Sequence, residues 1–199
     1  MLLALLAGSA LGSMPLPLYS ARSMDVSGVP VLASLPGPAW IWADVTLDTA
    51  GKPVACTVAS SSGSALLDRV ACARATRAGR FAPARDEAGQ PVAAVVRQAF
   101  AVNTPLPPEA VDFALPVKRA RGAAAGGVAV TDVRVVADPA GKVLTCAIDR
   151  SSGVAALDTL ACDAVFGVVR TVVRDASGVP VRGMSRASVG FVSGAIATR

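Results

Sequence analysis

The residues of this chain that could do chemistry are few. They are two serine runs that each closely precede an aspartate, two lysines in turn-like sequences, and four cysteines. Ser60, Ser61 and Ser62 lie ahead of Asp68, and Ser151 and Ser152 ahead of Asp158. A hydrolase would need a base beside such a serine. The 199-residue chain has no histidine, which removes Ser–His and Cys–His nucleophile pairs, His-ligated metal sites and the usual general base near neutral pH. No G-x-S-x-G elbow occurs. A Ser–Lys pair through Lys52 or Lys142 remains, but each lysine sits in a turn signal, where side chains face solvent. The economical reading of the serines is a turn and a helix cap. The expectation is a binding module with no catalytic, cofactor or metal residues.

The cysteines fall in two pairs, each sixteen positions apart: Cys56 with Cys72 and Cys146 with Cys162. Disulfides, free buried thiols and a four-cysteine zinc site are the alternatives. A zinc ribbon wants close C-x2–4-C pairs, and there are none. Bridges Cys56–Cys72 and Cys146–Cys162 are the leading expectation. A module of about 60 residues has a marginal core, and aromatics are only 4% of this chain. Closing such a loop stabilises by about 3 kcal/mol in the chain-entropy model. Bridges of this kind call for an oxidising compartment.

An internal repeat organises the elements that carry these residues. DTAGKPVACTVASSSGSALLD at 48–68 returns as DPAGKVLTCAIDRSSGVAALD at 138–158. With a one-residue slip, Asp86, Gly89, Pro91 and Val92 align with Asp175, Gly178, Pro180 and Val181. In the first copy Ala43, Val45 and Leu47 alternate, as do Val54, Cys56 and Val58 across a turn, so a β-hairpin is expected. From Ser64 the period becomes helical, with Leu67, Ala71 and Ala75 on one face. Phe81-Ala82-Pro83 ends the helix, and Val92–Val102 makes a third strand with Val96, Phe100 and Val102 on one side. In the second copy Leu144, Cys146 and Ile148 repeat the inward alternation, Leu157, Leu160, Ala161 and Ala164 form the helix face, and Val181–Val192 is the last strand. Thr171-Val172-Val173 stands where the first copy has Phe81-Ala82-Pro83, so a longer helix or one running on into a strand is expected there. The fold class is α+β: two tandem β-β-α-β modules, each a helix on a three-stranded antiparallel sheet.

The domain reading follows. Residues 1–21 are a signal peptide or anchor remnant: Met1–Leu11 is too short to span a bilayer, fits a secretory h-region, and precedes an A-x-A-like site at Ala10-Leu11-Gly12, although no Lys or Arg stands before it. Residues 22–40, with Pro30, Pro36 and Pro38, are an extended lead-in. Modules occupy 41–102 and 131–192, and 103–130 is a spacer, Pro-rich then Ala/Gly-rich. The hydrophobic share of 53% against 17% charged excludes a disordered polyelectrolyte. Net charge is +5 overall, but +2 in 41–102 and +1 in 131–192. The densest basic cluster, Lys118, Arg119 and Arg121, lies in the spacer. Without a concentrated basic face and stacking aromatics, nucleic acid is not an expected partner.

The run G-K-x-x-x-C-x-x-x-x-S-S-G-x-x-x-L-D, then Arg80-Phe81-Ala82-Pro83-Ala84, D-x-x-G-x-P-V and a strand, resembles the TonB C-terminal domain. The resemblance covers 41–102, and 131–192 in a divergent second copy that lacks the aromatic-x-Pro step. It implies a small periplasmic domain of the TonB/TolA type whose last strand receives an extended peptide, the TonB box of an outer-membrane receptor, by strand addition. The implied partner-binding edge is Val95, Val96, Arg97, Gln98, Ala99 and Phe100, with Ser185–Val189 as the weaker counterpart. The implied function is peptide binding related to TonB-dependent transport, with an envelope protein or receptor peptide as partner, membrane association through the N-terminus and a homodimer as further options. The alternatives are a membrane-anchored energy transducer with a longer N-terminus, and a purely structural periplasmic scaffold. A covered third strand is the competing reading of the edge.

Overall fold

The computed structural model describes residues 19–23, 38–77, 81–105, 111–117, 129–167 and 172–193. The apolar run Met1–Leu11, the Ala10-Leu11-Gly12 site, Pro30, Pro36, Arg80 and the Lys118/Arg119/Arg121 cluster lie outside them. The elements in order are β1 (Tyr19–Ser23), β2 (Ala39–Leu47), β3 (Pro53–Ser60), α1 (Ala65–Arg77), β4 (Ala84–Arg85), β5 (Pro91–Val102), β6 (Phe113–Val117), β7 (Ala129–Ala137), β8 (Val143–Arg150), α2 (Ala155–Phe166) and β9 (Gly183–Ser193). The fold is α+β. Among the described residues no helix is long and apolar enough to cross a membrane.

Four short turns punctuate the chain, each read from the same D-x-x-G pattern. The Oδ1 atoms of Asp48, Asp86, Asp138 and Asp175 each accept from the backbone N–H groups two and four residues on. The glycine at the fourth position takes a positive φ, which suits a hairpin loop ending in a left-handed residue. Gly51 has a second reason to be glycine. A Cβ there would stand 2.2 Å from the Phe81 carbonyl oxygen, and Phe81 N donates to Gly51 O. The strand that follows α1 is thus held against the first turn. In the second copy α2 stops at Gly167, whose N–H reaches Ala164 O and Val165 O, so it is not longer than α1. Val173 is buried, and an Arg174–Pro180 bridge stands where β4 pairs with β5 in the first.

Each copy builds β3-β2-β5 or its counterpart β8-β7-β9 with antiparallel pairing. The two do not stand apart as separate three-stranded sheets. They join in one mixed sheet with the path β3-β2-β5-β9-β7-β8. The joint is a short parallel pairing, Ala93 with Gly183 and Ala94 with Met184. Beyond it β5 and β9 diverge, and each takes an added parallel strand: β1 along Arg97–Ala101 and β6 along Val189–Ser193. A strand, β6, therefore lies within the segment expected to be a spacer, and β1 crosses from the expected signal segment into the lead-in. Composition hid both: β1 has little apolar content, and the inward alternation of Phe113, Leu115 and Val117 in β6 lies within a stretch read as a spacer.

The strand path reads the same from either end while the central pair is parallel, so the second copy is turned over relative to the first. The cores show it. Val136 and Met184 of the second copy pack into the first core, with Val45, Leu67, Ala71, Ala94 and Val96. Val133, Val135, Ala161, Val165, Val189 and Phe191 form the second core on the other face. The two helices cover opposite faces of the joined sheet. Gly183 sits at the joint because a Cβ there would meet Val173 at 2.5 Å.

The expected inward residues of the first copy are all buried or partly buried: Ala43, Val45, Leu47, Leu67, Ala71 and Ala75 fully so. The second copy departs. Leu144, Ile148 and Leu160 are 44%, 43% and 39% exposed. Val143 lies in the core in place of Leu144, while the register slips at Val136/Ala137 and Asp132/Val133 match those of the first copy. Helix α2 buries Ala161 and Val165 and turns Leu160 outward.

The cysteines pair as Cys56–Cys72 and Cys146–Cys162, with Cα–Cα separations of 5.7 and 5.8 Å. Each ties the edge strand of a hairpin to its helix. The buried residues of α1 are Leu67, Ala71 and Ala75, a lean face on which the bridge substitutes for apolar area. Replacing Cys56 and Cys72 together by Ala is expected to destabilise by about 3 kcal/mol, read as a lowered urea midpoint. A loss under about 0.5 kcal/mol would show that the bridge carries no stability.

Candidate functional site

The serine–aspartate runs resolve into matching clasps. Ser61 Oγ donates to Asp68 Oδ2 at 2.6 Å, and Ser62 N and Oγ donate to Asp68 Oδ1 at 2.9 and 2.8 Å. Gly63 N and Ser64 N are received by Ser61 Oγ and Ser62 Oγ. The second copy repeats this: Ser151 Oγ, Ser152 N and Ser152 Oγ donate to Asp158, and Thr131 Oγ1 of β7 adds a donor at 2.7 Å. Burial pushes both carboxyls up, and the hydrogen bonds from the serines, joined at Asp158 by Thr131, outweigh it. Asp68 is held below its ordinary value, and Asp158 is brought down to about 2. A carboxylate engaged by two serines and made less basic is a fixture of the helix entry, not a base poised to activate a hydroxyl. The S-S-G…L-D signature is therefore a fold determinant. Sequence reasoning read the serines as a turn and a helix cap, but missed that they bind the aspartate.

No group of three or more His, Cys, Asp or Glu able to hold a metal occurs among the described residues.

The remaining candidate is the β5 edge. Its six expected residues lie on one continuous strand, paired along one side to β2 from Ala39↔Val102 to Leu47↔Ala94. The other side is not open. Ala93 and Ala94 pair with β9, Arg97 to Ala101 pair with β1, and Val95 and Val96 stand at the fork between. The counterpart Ser185–Val189 meets β6 at Val189.

Side chains of this strand divide by face. Arg97 lies opposite Asp44 and donates to both its carboxylate oxygens, at 2.8 and 3.0 Å, and to Asp112 Oδ1 at 2.8 Å. The hydrogen bonds to Asp44 raise the guanidinium pKa against the opposing effect of burial, with Asp112 adding to the rise. Asp112 in turn binds β9: its N–H donates to Ser188 O at 2.9 Å, and Ser188 N donates to Asp112 Oδ2 at 2.7 Å. One aspartate at the entry to β6 thus ties both arms of the fork. On the second copy's own polar side, Asp132, only 3% exposed, binds Arg150 and Arg186 at 2.6 Å each and accepts from Ser188 Oγ. A further link between copies is Arg182 to Asp86 at 2.7 Å.

Gln98 is the anomaly. It faces the helix side of the strand among Val96 and Phe100, is 1% exposed, and has no hydrogen-bond partner for either amide atom. Its counterpart in the second copy is Ala187, also buried.

The outer edges of the sheet differ from the inner ones. On β3 the register slips at Trp42/Ala43 and at Thr46/Leu47, and β8 slips at the equivalent places. Bulges at both ends shorten the regular stretch and add local twist, a known means of discouraging strand addition.

Residues 42–102 match the family described as the Gram-negative bacterial TonB protein C-terminal. The match spans β2 to the last residue of β5. No curated protein and no solved structure gives a match to the chain.

Two outcomes are expected. Asp158, depressed in the folded state, contributes stability that is present above its unfolded pKa near 3.8 and is lost as pH falls toward about 2. An NMR titration should find its carboxyl midpoint near 2, and in Asp158→Asn the acid loss of stability should shrink; a midpoint at 3.8 would contradict the clasp. Gln98→Leu removes a buried amide with no partners and is expected to stabilise by about 1–2 kcal/mol, measured by urea unfolding. Destabilisation would show that the amide has a role in the fold.

Proposed function

We propose that this chain is a periplasmic TonB-type protein that receives an extended peptide of an envelope protein or outer-membrane receptor by strand addition along β5. The family match over 42–102 supports the type of domain. The observation that carries the binding mode is that the β5 edge takes an added parallel strand by backbone pairing over Arg97–Ala101, whereas the outer strands β3 and β8 are irregular at both ends. In β-augmentation the main chain supplies affinity and alternate side chains supply selectivity. Here the side chains flanking the edge are the Asp44–Arg97–Asp112 ion-pair cluster on one face and the apolar Val96 and Phe100 on the other. On this reading the first copy is the receiving unit and the second, divergent copy supports it as a tandem module. The disulfides fit an oxidising compartment.

A purely structural scaffold is the second reading, favoured by the occupation of both inner edges by the chain itself. A synthetic TonB-box peptide titrated into the isotopically labelled chain separates the two. Amide shifts concentrated at Val95–Ala101, with β3 and β8 unmoved, are expected. Shifts confined to β3 or β8, or no shifts at all, would favour the scaffold.

A further inference from the structure

The two inner edges are filled in the same manner, each by an added parallel strand. Each is covered by the segment that precedes its own copy: β1 ahead of β2, and β6 ahead of β7. Both are five residues long and run parallel to the strand they join. Their sequences, Tyr-Ser-Ala-Arg-Ser and Phe-Ala-Leu-Pro-Val, have little in common. Their registers also differ. Tyr19 lies opposite Arg97, while Phe113 lies opposite Val189, which corresponds to Phe100. Two related edges, each taking a different segment in a different register, have backbone pairing in common more than any side-chain pattern.

β6 is fastened. Asp112 donates its N–H to Ser188 O, accepts from Ser188 N through its carboxylate and receives Arg97, and Phe113, Leu115 and Val117 pack against the second core. β1 pairs with β5 over five residues, Tyr19–Ser23, and residues 24–38 separate it from β2 in the sequence.

We infer that β1 is an internal ligand of the β5 edge: the segment Tyr19–Ser23 occupies the site that an external extended peptide enters, in the same parallel direction, and yields to it by exchange. The β9 edge, closed by the fastened β6, receives no peptide, so the duplicated chain has one peptide site. The inference rests on the strand-addition reading above and deepens it. An internal competitor lowers the apparent affinity of an external strand by the fraction of time the edge is free. That fraction depends on the effective concentration of the tethered segment, which falls roughly as the −3/2 power of tether length.

The test uses the full chain and two labelled peptides, residues 17–25 of this protein and a TonB-box peptide, followed by fluorescence anisotropy. Two variants accompany the wild type. One carries Ser20→Pro and Ala21→Pro, which removes ladder donors from β1. The other doubles the sequence separation between β1 and β2 with a Gly/Ser insertion and leaves the sequence of every described strand and helix unaltered, so the experiment does not depend on the proline variant folding well. For both peptides the proline variant is expected to bind at least about tenfold more tightly than wild type, and the lengthened tether about threefold more tightly. Equal affinities in all three proteins would overturn the internal-ligand inference while leaving strand addition standing. Tighter binding of the TonB-box peptide with no binding of the 17–25 peptide would also overturn it, because β1 would then not be a ligand of the edge. Failure of all three proteins to bind either peptide would overturn the inference and the strand-addition reading together.

Discussion

A β-β-α-β unit in which the last strand joins the near side of the first strand leaves that last strand with one bare edge. Backbone N–H and C=O groups on such an edge need partners, from water or from another strand. In this protein the arrangement of both copies is organised by that need. The N-terminal ends of β5 and β9 satisfy each other at the joint. Their C-terminal halves diverge and each takes an added strand. Because the central pair is parallel, the copies are turned over relative to one another, which puts α1 and α2 on opposite faces and lets Val136 and Met184 complete the first core. The Asp112 knot and the Arg182–Asp86 pair then lie where the copies meet.

The cores are assembled from small residues, and the fold compensates at specific places. Ala43, Ala71, Ala75, Ala94 and Ala161 are fully buried, so helix and sheet approach closely with little apolar area between them. The disulfides fasten each helix to the outermost strand of its hairpin, and the serine–aspartate clasps fix each helix entry. Both devices are repeated in the two copies, whereas the buried Gln98 belongs to the first alone. A buried amide without partners is tolerated there and replaced by Ala187 in the second, so the first copy retains a locally unfavourable group on its receiving strand.

Much of the local structure was legible because it depends on nearest neighbours in sequence. The D-x-x-G turns, the alternation of Ala43, Val45 and Leu47, the helical spacing of Leu67, Ala71 and Ala75, and the sixteen-residue cysteine spacing each state their geometry directly. Alternation gives Leu144 and Ile148 the face of Cys146, but it does not record how much of an edge strand the core covers, and both are exposed. β1 was not legible at all, and the alternation of Phe113, Leu115 and Val117 in β6 was masked by the spacer-like composition around it. Each is held by backbone pairing to a strand distant in sequence, and Tyr-Ser-Ala-Arg-Ser carries no pattern that announces a partner. The six residues of the candidate edge do lie on one strand, but the pairing of that strand with the chain's own segment depends on those invisible pairings.

The account depends most directly on the β1–β5 pairing. Residue-resolved amide hydrogen exchange across Val92–Val102 in the intact chain measures it. Amides of Arg97–Ala101 that point toward β1 should exchange well below the unprotected rate, yet faster than those pointing toward β2, which open only with the core. If the β1-facing amides exchange at the rate of an unpaired edge, the edge is bare and the account of an internally filled site is wrong.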